Sequence, residues 1–235
     1  MLELKNVNYS VVADDGVIEI LKDINIKFDN GINVITGQNG SGKSTLIKLI
    51  MGINQASGGK IVYKRKDISS FTLTQRANLG FTLAFQQPIR FKGLKVKDLL
   101  DIASSKNNKL SDACEYLSKV GMCAKDYINR ELDSTLSGGE LKRIELAMAL
   151  AKGGDVFLFD EPEAGIDLWS FDDLIEIFKS LKDKTVIIVS HQERIIEHAN
   201  KVIVMDNLGV KEYTNSQAIG EIKALKCGRL GGKRG

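Results

Sequence analysis

The chain has 235 residues, 43% hydrophobic and 27% charged, the balance of an ordinary globular protein long enough to bury a substantial core. Its 33 basic and 30 acidic residues leave a net charge of +3, too little to point to nucleic acid. No apolar run approaches the roughly 18 residues of a membrane span. Met1-Leu2-Glu3-Leu4-Lys5 lacks the apolar centre of a signal peptide, and Cys114, Cys123 and Cys227 are too scattered for a disulfide framework or zinc site. A cytoplasmic protein is expected, with any membrane role requiring another subunit.

Leu2, Leu4 and Val7-Tyr9-Val11 recur with period two, as do Ile18, Ile20 and then Ile24, Ile26 and Phe28. Asp14-Asp15-Gly16 supplies turn chemistry between them, so an antiparallel β layer is predicted. Tyr9 is read as an inward-facing sheet residue, with base stacking as the alternative. The apolar run Ile32 to Ile35 then leads into Gly37-Gln38-Asn39-Gly40-Ser41-Gly42-Lys43-Ser44-Thr45, and the helical pattern Leu46, Ile47, Leu49, Ile50 follows. A strand feeding a glycine-rich turn that opens a helix is the setting of a phosphate-binding loop. Gly37, Gly40 and Gly42 let the backbone curl its N–H groups toward one anion, and the helix adds its positive end. Lys43 is expected to reach the β- and γ-phosphates, and the Ser44 hydroxyl to ligate Mg²⁺. Binding of a nucleoside triphosphate is predicted.

The loop helix should end at Gly52, and Ser57-Gly58-Gly59 turns the chain into a strand at Lys60 to Tyr63. A helix over Leu73 to Leu79 and a strand over Gly80 to Phe85 come next, running into Gln86-Gln87-Pro88. A glutamine at a strand's carboxyl end can ligate Mg²⁺ or orient water, although taken alone Gln86 is a weak signal. From Ile89 to about Lys152 the apolar spacing is helical, with Val96, Leu99, Leu100, Ala103 and then Leu110, Ala113, Leu117, Val120, and predicts an inserted all-helical subdomain. Leu136-Ser137-Gly138-Gly139-Glu140 opens its last helix, either as a plain cap or as a second anion-binding terminus.

Asp155 to Glu161 reads as a buried parallel strand carrying two carboxylates at its end, where open α/β sheets place their chemistry. Asp160 is expected to hold Mg²⁺ through water and Glu161 to polarise an attacking water as general base. A helix near Ser170 to Leu181 precedes the strand Thr185 to Val189, which delivers Ser190-His191 to another strand end. His198 is placed within a helix and without a functional role.

The order of phosphate loop, Gln86, Ser137-Gly138-Gly139, Asp160-Glu161, Asp167 and His191 resembles an ATP-binding cassette (ABC) ATPase domain from Leu2 to about Tyr213. The resemblance implies a P-loop α/β fold with an antiparallel β subdomain, a RecA-like core and the helical insertion at about 89–152, as one domain over 1–215. A C-terminal helix and basic tail would fill 216–235. It implies that Gly37, Asn39, Gly40, Ser41, Gly42, Lys43, Ser44 and Thr45 form Walker A, with Gln86 as the Q-loop and Asp160 as Walker B. Glu161 would be the catalytic carboxylate, His191 the switch histidine and Ala164 to Asp167 the D-loop. Mg²⁺ would sit on Ser44, Gln86 and Asp160. Ser137, Gly138, Gly139 and Glu140 would be the signature acting on ATP held by the opposite copy of an ATP-dependent homodimer.

Within that family, Gly80 to Gln86, Ser137 to Glu145 and Glu163 to Asp167 are similar to SufC, the ATPase of iron–sulfur cluster assembly, as is the lack of an aromatic at Val11. Pro162 departs toward transporters, and the chain is short at its C-terminal end. The resemblance implies a SufB-like scaffold as partner; the alternative is the ATP-binding subunit of a membrane transporter with a separate permease. Gln87 to Gly93, with Arg90 and Phe91, is expected to touch that partner, whereas the tail around Cys227 reads as a solvated end.

Overall fold

Period-two burial folds the first 28 residues into a hairpin. β1 (Leu2–Ala13) and β2 (Gly16–Phe28) pair antiparallel with Leu2 opposite Phe28 and Leu4 opposite Ile26, all buried, while Glu3 and Lys27 face out. The computed structural model describes residues 1–14, 16–85, 93–104, 110–133, 135–165, 171–206, 209–215, 217 and 219–220. Gln86, Arg90, Phe91, Asp167, Cys227 and nearly all of the C-terminal tail lie outside the described residues. β4 (Gly58–Tyr63) joins the free side of β1 and β5 (Lys66–Asp67) follows it, giving an antiparallel sheet in the order β2-β1-β4-β5.

The second sheet runs β10 (Gly209–Tyr213), β9 (Lys201–Asp206), β3 (Gly31–Gly37), β8 (Thr185–Val189), β7 (Val156–Asp160) and β6 (Phe81–Ala84). Its strands are parallel except β10, which turns back antiparallel on β9. β3, β7 and β8 are continuous apolar runs because both faces are covered. On one face Ile35, Leu158 and Val189 join Leu4, Phe28 and Leu46 under the antiparallel sheet and α1 (Lys43–Met51). On the other, Phe157, Phe159 and Ile188 pack with residues of α3 (Val96–Ser104), α4 (Leu110–Lys119), α6 (Gly138–Lys152) and α7 (Phe171–Ser180). Those first three helices and the short α5 (Ala124–Tyr127) all fall between β6 and β7 in the chain. The register sets Ile35 and Asp160 on either side of Val189, so the carboxyl ends of β3, β8 and β7 stand in one row.

α2 (Leu73–Asn78) starts on a capping box between Thr72 and Gln75 and carries Arg76, a fully buried cation. Its Nη1 donates to Leu49 O at 2.5 Å and Ile50 O at 2.8 Å, and its Nη2 to Ile68 O at 2.9 Å and Ser69 O at 3.0 Å. The guanidinium thus caps the negative end of α1. Burial brings its pKa down to about 10. One sequence expectation is corrected: His198 is not within a helix, because α8 (Glu193–Ile196) ends after a single turn. The chain is diverted there by Asn200, whose backbone N–H donates to Ile32 O at 2.8 Å and whose side chain accepts from Ile32 N at 2.7 Å, steering it into β9.

Candidate functional site

The loop between β3 and α1 is shaped by glycines in the left-handed region, where a side chain would be strained. Gly37 has φ +137°, and a Cβ there would lie 1.9 Å from Met205 O on β9; Gly42 has φ +90°, and a Cβ there would lie 2.6 Å from Leu21 Cδ2. Gly42 caps α1 in the left-handed region without any side-chain cap bond, and no acidic residue occupies the first turn. The helix therefore keeps its positive end and its first N–H groups for an anion. Asn39 and Gly40 form the exposed crest of the loop, and Thr45 is half-buried on the helix behind it. The Ser41 hydroxyl is buried without a partner, an orphan that a ligand would satisfy.

Lys43 Nζ spans the loop, donating to Gly37 O at 3.1 Å and Gln38 O at 2.7 Å. Burial lowers its pKa, and the charges of Glu161 and Asp160 oppose that. The Ser44 hydroxyl donates to Asp160 Oδ1 at 3.1 Å, joining the phosphate loop to the end of β7. Burial raises the Asp160 pKa, and the bond from Ser44 counters it. Hydroxyl and carboxylate at this separation fit Mg²⁺, a hard cation completed by phosphate oxygens and water. Among the described residues no group of three or more His, Cys, Asp or Glu could by itself hold a metal ion.

Beyond Asp160, Glu161 takes φ +47° and its N–H donates to Val189 O at 3.0 Å. Ser190, fully buried, donates its N–H to Ile35 O at 3.1 Å and its hydroxyl to Glu163 Oε1 at 2.5 Å. Glu163 Oε2 is buried without a partner, and burial raises the Glu163 pKa. His191 Nδ1 lies 3.5 Å from Thr36 Oγ1, the residue before Gly37. Lys43, Ser44, Asp160, Glu161 and His191 thus converge on one row of strand ends. Sequence reasoning missed Thr36, Glu163 and Ser190. Each adjoins a residue it singled out, but only the fold brings Ser190 to Glu163.

The Ser137 turn is built elsewhere. Its hydroxyl accepts from Glu140 N at 3.2 Å, and Glu140 Oε2 accepts from Ser137 N at 2.7 Å, a reciprocal capping box. Tyr127 OH donates to Glu140 Oε1 at 2.5 Å and, ahead of the bonds from Ser137, holds the Glu140 pKa down. Ser137 and Gly138 are exposed, while Gly139 approaches the backbone so closely that a Cβ would lie 2.9 Å from Gly165 O. These residues were expected to serve nucleotide, and the structure places them in contact with α5 and the Glu161–Gly165 turn. Gln86 and Asp167, expected at the same site, lie outside the described residues.

Residues 21–164, more than half of the chain, match the family model described as ABC transporter. The chain belongs to the ABC transporter family. Its ATPase domain hydrolyses ATP, and this ABC ATPase is an ATP hydrolase. It is 39% identical over 222 residues to an "Uncharacterized ABC transporter ATP-binding protein MJ0035" of Methanocaldococcus jannaschii, covering 90% of this chain and 89% of that protein. It is 30% identical to the "Macrolide export ATP-binding/permease protein MacB" of Mannheimia succiniciproducens, covering 86% of this chain and 33% of that one. Among solved structures, the dimeric ATP-binding cassette MJ0796 bound to ADP and Pi shares the fold at a TM-score of 0.82 and 22% identity, covering 92% of this chain and 99% of that one. These relatives are named for transport or as cassettes, so the names support an ABC ATPase and give no support to the narrower SufC assignment. No helix of the described residues is long and apolar enough to cross a membrane.

Proposed function

We propose that this ABC ATPase binds Mg-ATP at the glycine loop and hydrolyses it as the ATP-binding subunit of a transporter whose permease is a separate chain. The observation that carries the ATPase reading is the 3.1 Å bond between Ser44 and Asp160, which unites phosphate loop and strand-end carboxylate. On binding, Lys43 exchanges its two carbonyl partners for phosphate oxygens, and the Ser41 hydroxyl gains an acceptor. Glu161 accepts the proton of the attacking water, and His191, steadied by Thr36, faces the γ-phosphate. Bound Mg²⁺ would neutralise charge on the β- and γ-phosphates; Ser44, Asp160 and Gln86 are its proposed ligands. Ser137, Gly138, Gly139 and Asp167 act on ATP held by a second copy, so catalysis needs a dimer. The catalytic domain spans 1–215, with its helical part at about 89–152.

The transport-related names of the relatives favour a permease as partner. A second reading, a SufC-like ATPase driving a SufB-like iron–sulfur scaffold, is favoured by the likeness of Ser137 to Glu145 and Glu163 to Asp167 to SufC. Glu161→Gln tests the shared part: it should bind ATP, lose turnover by about 10²- to 10⁴-fold, and run as a dimer with Mg-ATP on a sizing column. A monomer with ATP demonstrably bound refutes the paired site. Stimulation of ATPase activity by a co-expressed permease in vesicles supports transport, whereas capture and stimulation by a polar scaffold alone replaces it with the second reading.

A further inference from the structure

Helix α6 and strand β6 are fastened to each other at both ends, and the fastening is made by charged side chains. At the far end Lys152 Nζ donates to Phe81 O and, at 3.1 Å, lies against Thr82 Oγ1. At the near end Lys142 and Glu145, one helical turn apart, close on the backbone of a single residue, Phe85. Glu145 Oε1 accepts from Phe85 N at 2.6 Å, Lys142 Nζ donates to Phe85 O, and the two side chains meet at 3.1 Å. Their side chains are 1% and 14% exposed. The spacings match: ten residues of helix rise about 15 Å, and four residues of strand about 13 Å.

Among the described residues β6 is the outermost strand of its sheet. Apolar packing is present as well, with Ala84 of β6 buried in the same cluster as Leu141, Ile144 and Ala149 of α6. Thr82, Phe85, Leu141, Glu145, Met148 and Lys152 line a cavity of about 230 Å³ between helix and strand. Side-chain bonds at the two ends add a defined register to that apolar contact. Burial raises the Glu145 pKa, opposed by the Lys142 charge and the Phe85 N–H. Burial raises the pKa of Asp160 and of Glu163, and the Lys142 charge is the last of the effects that oppose it.

We infer that Lys142 and Glu145 are positioning residues for ATP hydrolysis: their joint grip on the Phe85 backbone couples the Ser137–Gly139 turn to the carboxyl end of β6. Phe85 is the last residue before Gln86, and Lys142 lies one turn into the helix that Ser137 caps. A displacement of either segment is thus carried to the other. Two apolar side chains would bury the same surface without holding a chosen peptide, so the ion pair supplies register rather than adhesion. The inference rests on the ATPase reading above.

The test compares kcat and KM at 25 °C, ATP affinity by titration with a fluorescent analogue, and Tm. Removing one partner strands a buried charge, so the informative variant is the double change Lys142→Met with Glu145→Met. It should fold and bind ATP within threefold of wild type, with kcat reduced at least tenfold. Should the double variant not fold, Glu145→Asp keeps the charge but withdraws the oxygen by about one bond, and it should show the same tenfold fall in kcat with KM held. A merely structural pair would lower Tm and leave kcat unchanged in every folded variant, and that result overturns the inference. Absence of ATPase activity in the wild type would instead refute the ATPase reading.

Discussion

The Ser190 hydroxyl stands 2.5 Å from the Glu163 carboxylate and binds the turn after β7 to the end of β8. Ser190 precedes His191, and Glu163 follows Glu161 by two residues, so one bond sets the spacing of two groups proposed to act on ATP. The other Glu163 oxygen is buried and unpartnered, and burial raises the carboxyl pKa. An acid whose pKa is higher folded than unfolded binds more protons in the native state between those values, so stability falls as pH rises through that window. Glu163→Gln keeps the acceptor for Ser190 and should be more stable than wild type above the window by about 1 kcal/mol. The advantage should vanish below it. Thermal melts at pH 4 and pH 8 decide the point: equal gains at both would show that ionisation is not the cause.

Arg76 holds four carbonyls with one buried guanidinium and so joins the C-terminus of α1 to the segment before α2. Arg76→Met should cost about 3 kcal/mol in urea unfolding, because buried acceptors lose their donors. Arg76→Lys should recover little, since an ammonium cannot reproduce the planar fork. Full recovery with lysine would make charge, not geometry, the source of stability.

Asp155 is held at a pKa of about 2, first by the hydrogen bond from Lys64 and then by that from Lys184. Its oxygens lie 2.7 Å from Lys64 Nζ and 3.0 Å from Lys184 Nζ, tying β4 to the base of the core sheet. A depressed carboxyl pKa gives stability that is whole above the unfolded value, near 4, and is lost as pH falls toward 2. All three side chains are well exposed, so screening limits the effect to about 1 kcal/mol or less. Asp155→Asn should flatten the fall in stability between pH 5 and pH 2, and 1 M salt should shrink the difference from wild type.

Lys43→Ala removes the cation that bridges Gly37 O and Gln38 O. It should weaken ATP binding at least tenfold and abolish the nucleotide-dependent dimer, while Tm without nucleotide moves little. Unchanged affinity by titration would remove Lys43 from the phosphate contacts.

What could be read along the chain was whatever is local. The glycine loop announces itself because strand, turn and helix signals are contiguous, and the Ser137 capping box because its partners are three residues apart. Arg76 gave no such sign: its acceptors lie 27, 26, 8 and 7 residues away and are backbone atoms. The bond from Ser190 to Glu163 crosses 27 residues between different strands. Lys142 and Glu145 look like an ordinary solvent-facing pair at i and i+3, and only the position of β6 shows that they point inward. The end of α8 before His198 is not legible because Glu197, His198, Ala199 and Asn200 carry no Gly or Pro to mark a stop, and the bonds that divert the chain run from Asn200 to distant Ile32.

Glu161 sits at φ +47°, a conformation that costs a side chain bearing a Cβ about 1 kcal/mol and that glycine and asparagine accept more readily. Mutational drift selected only for abundance would accordingly favour Gly or Asn at position 161, gaining stability while discarding the carboxylate. A well-expressed, heat-resistant descendant of this chain should therefore be examined first at that residue, since with the role proposed for Glu161 the most comfortable backbone would belong to a protein that no longer turns over ATP.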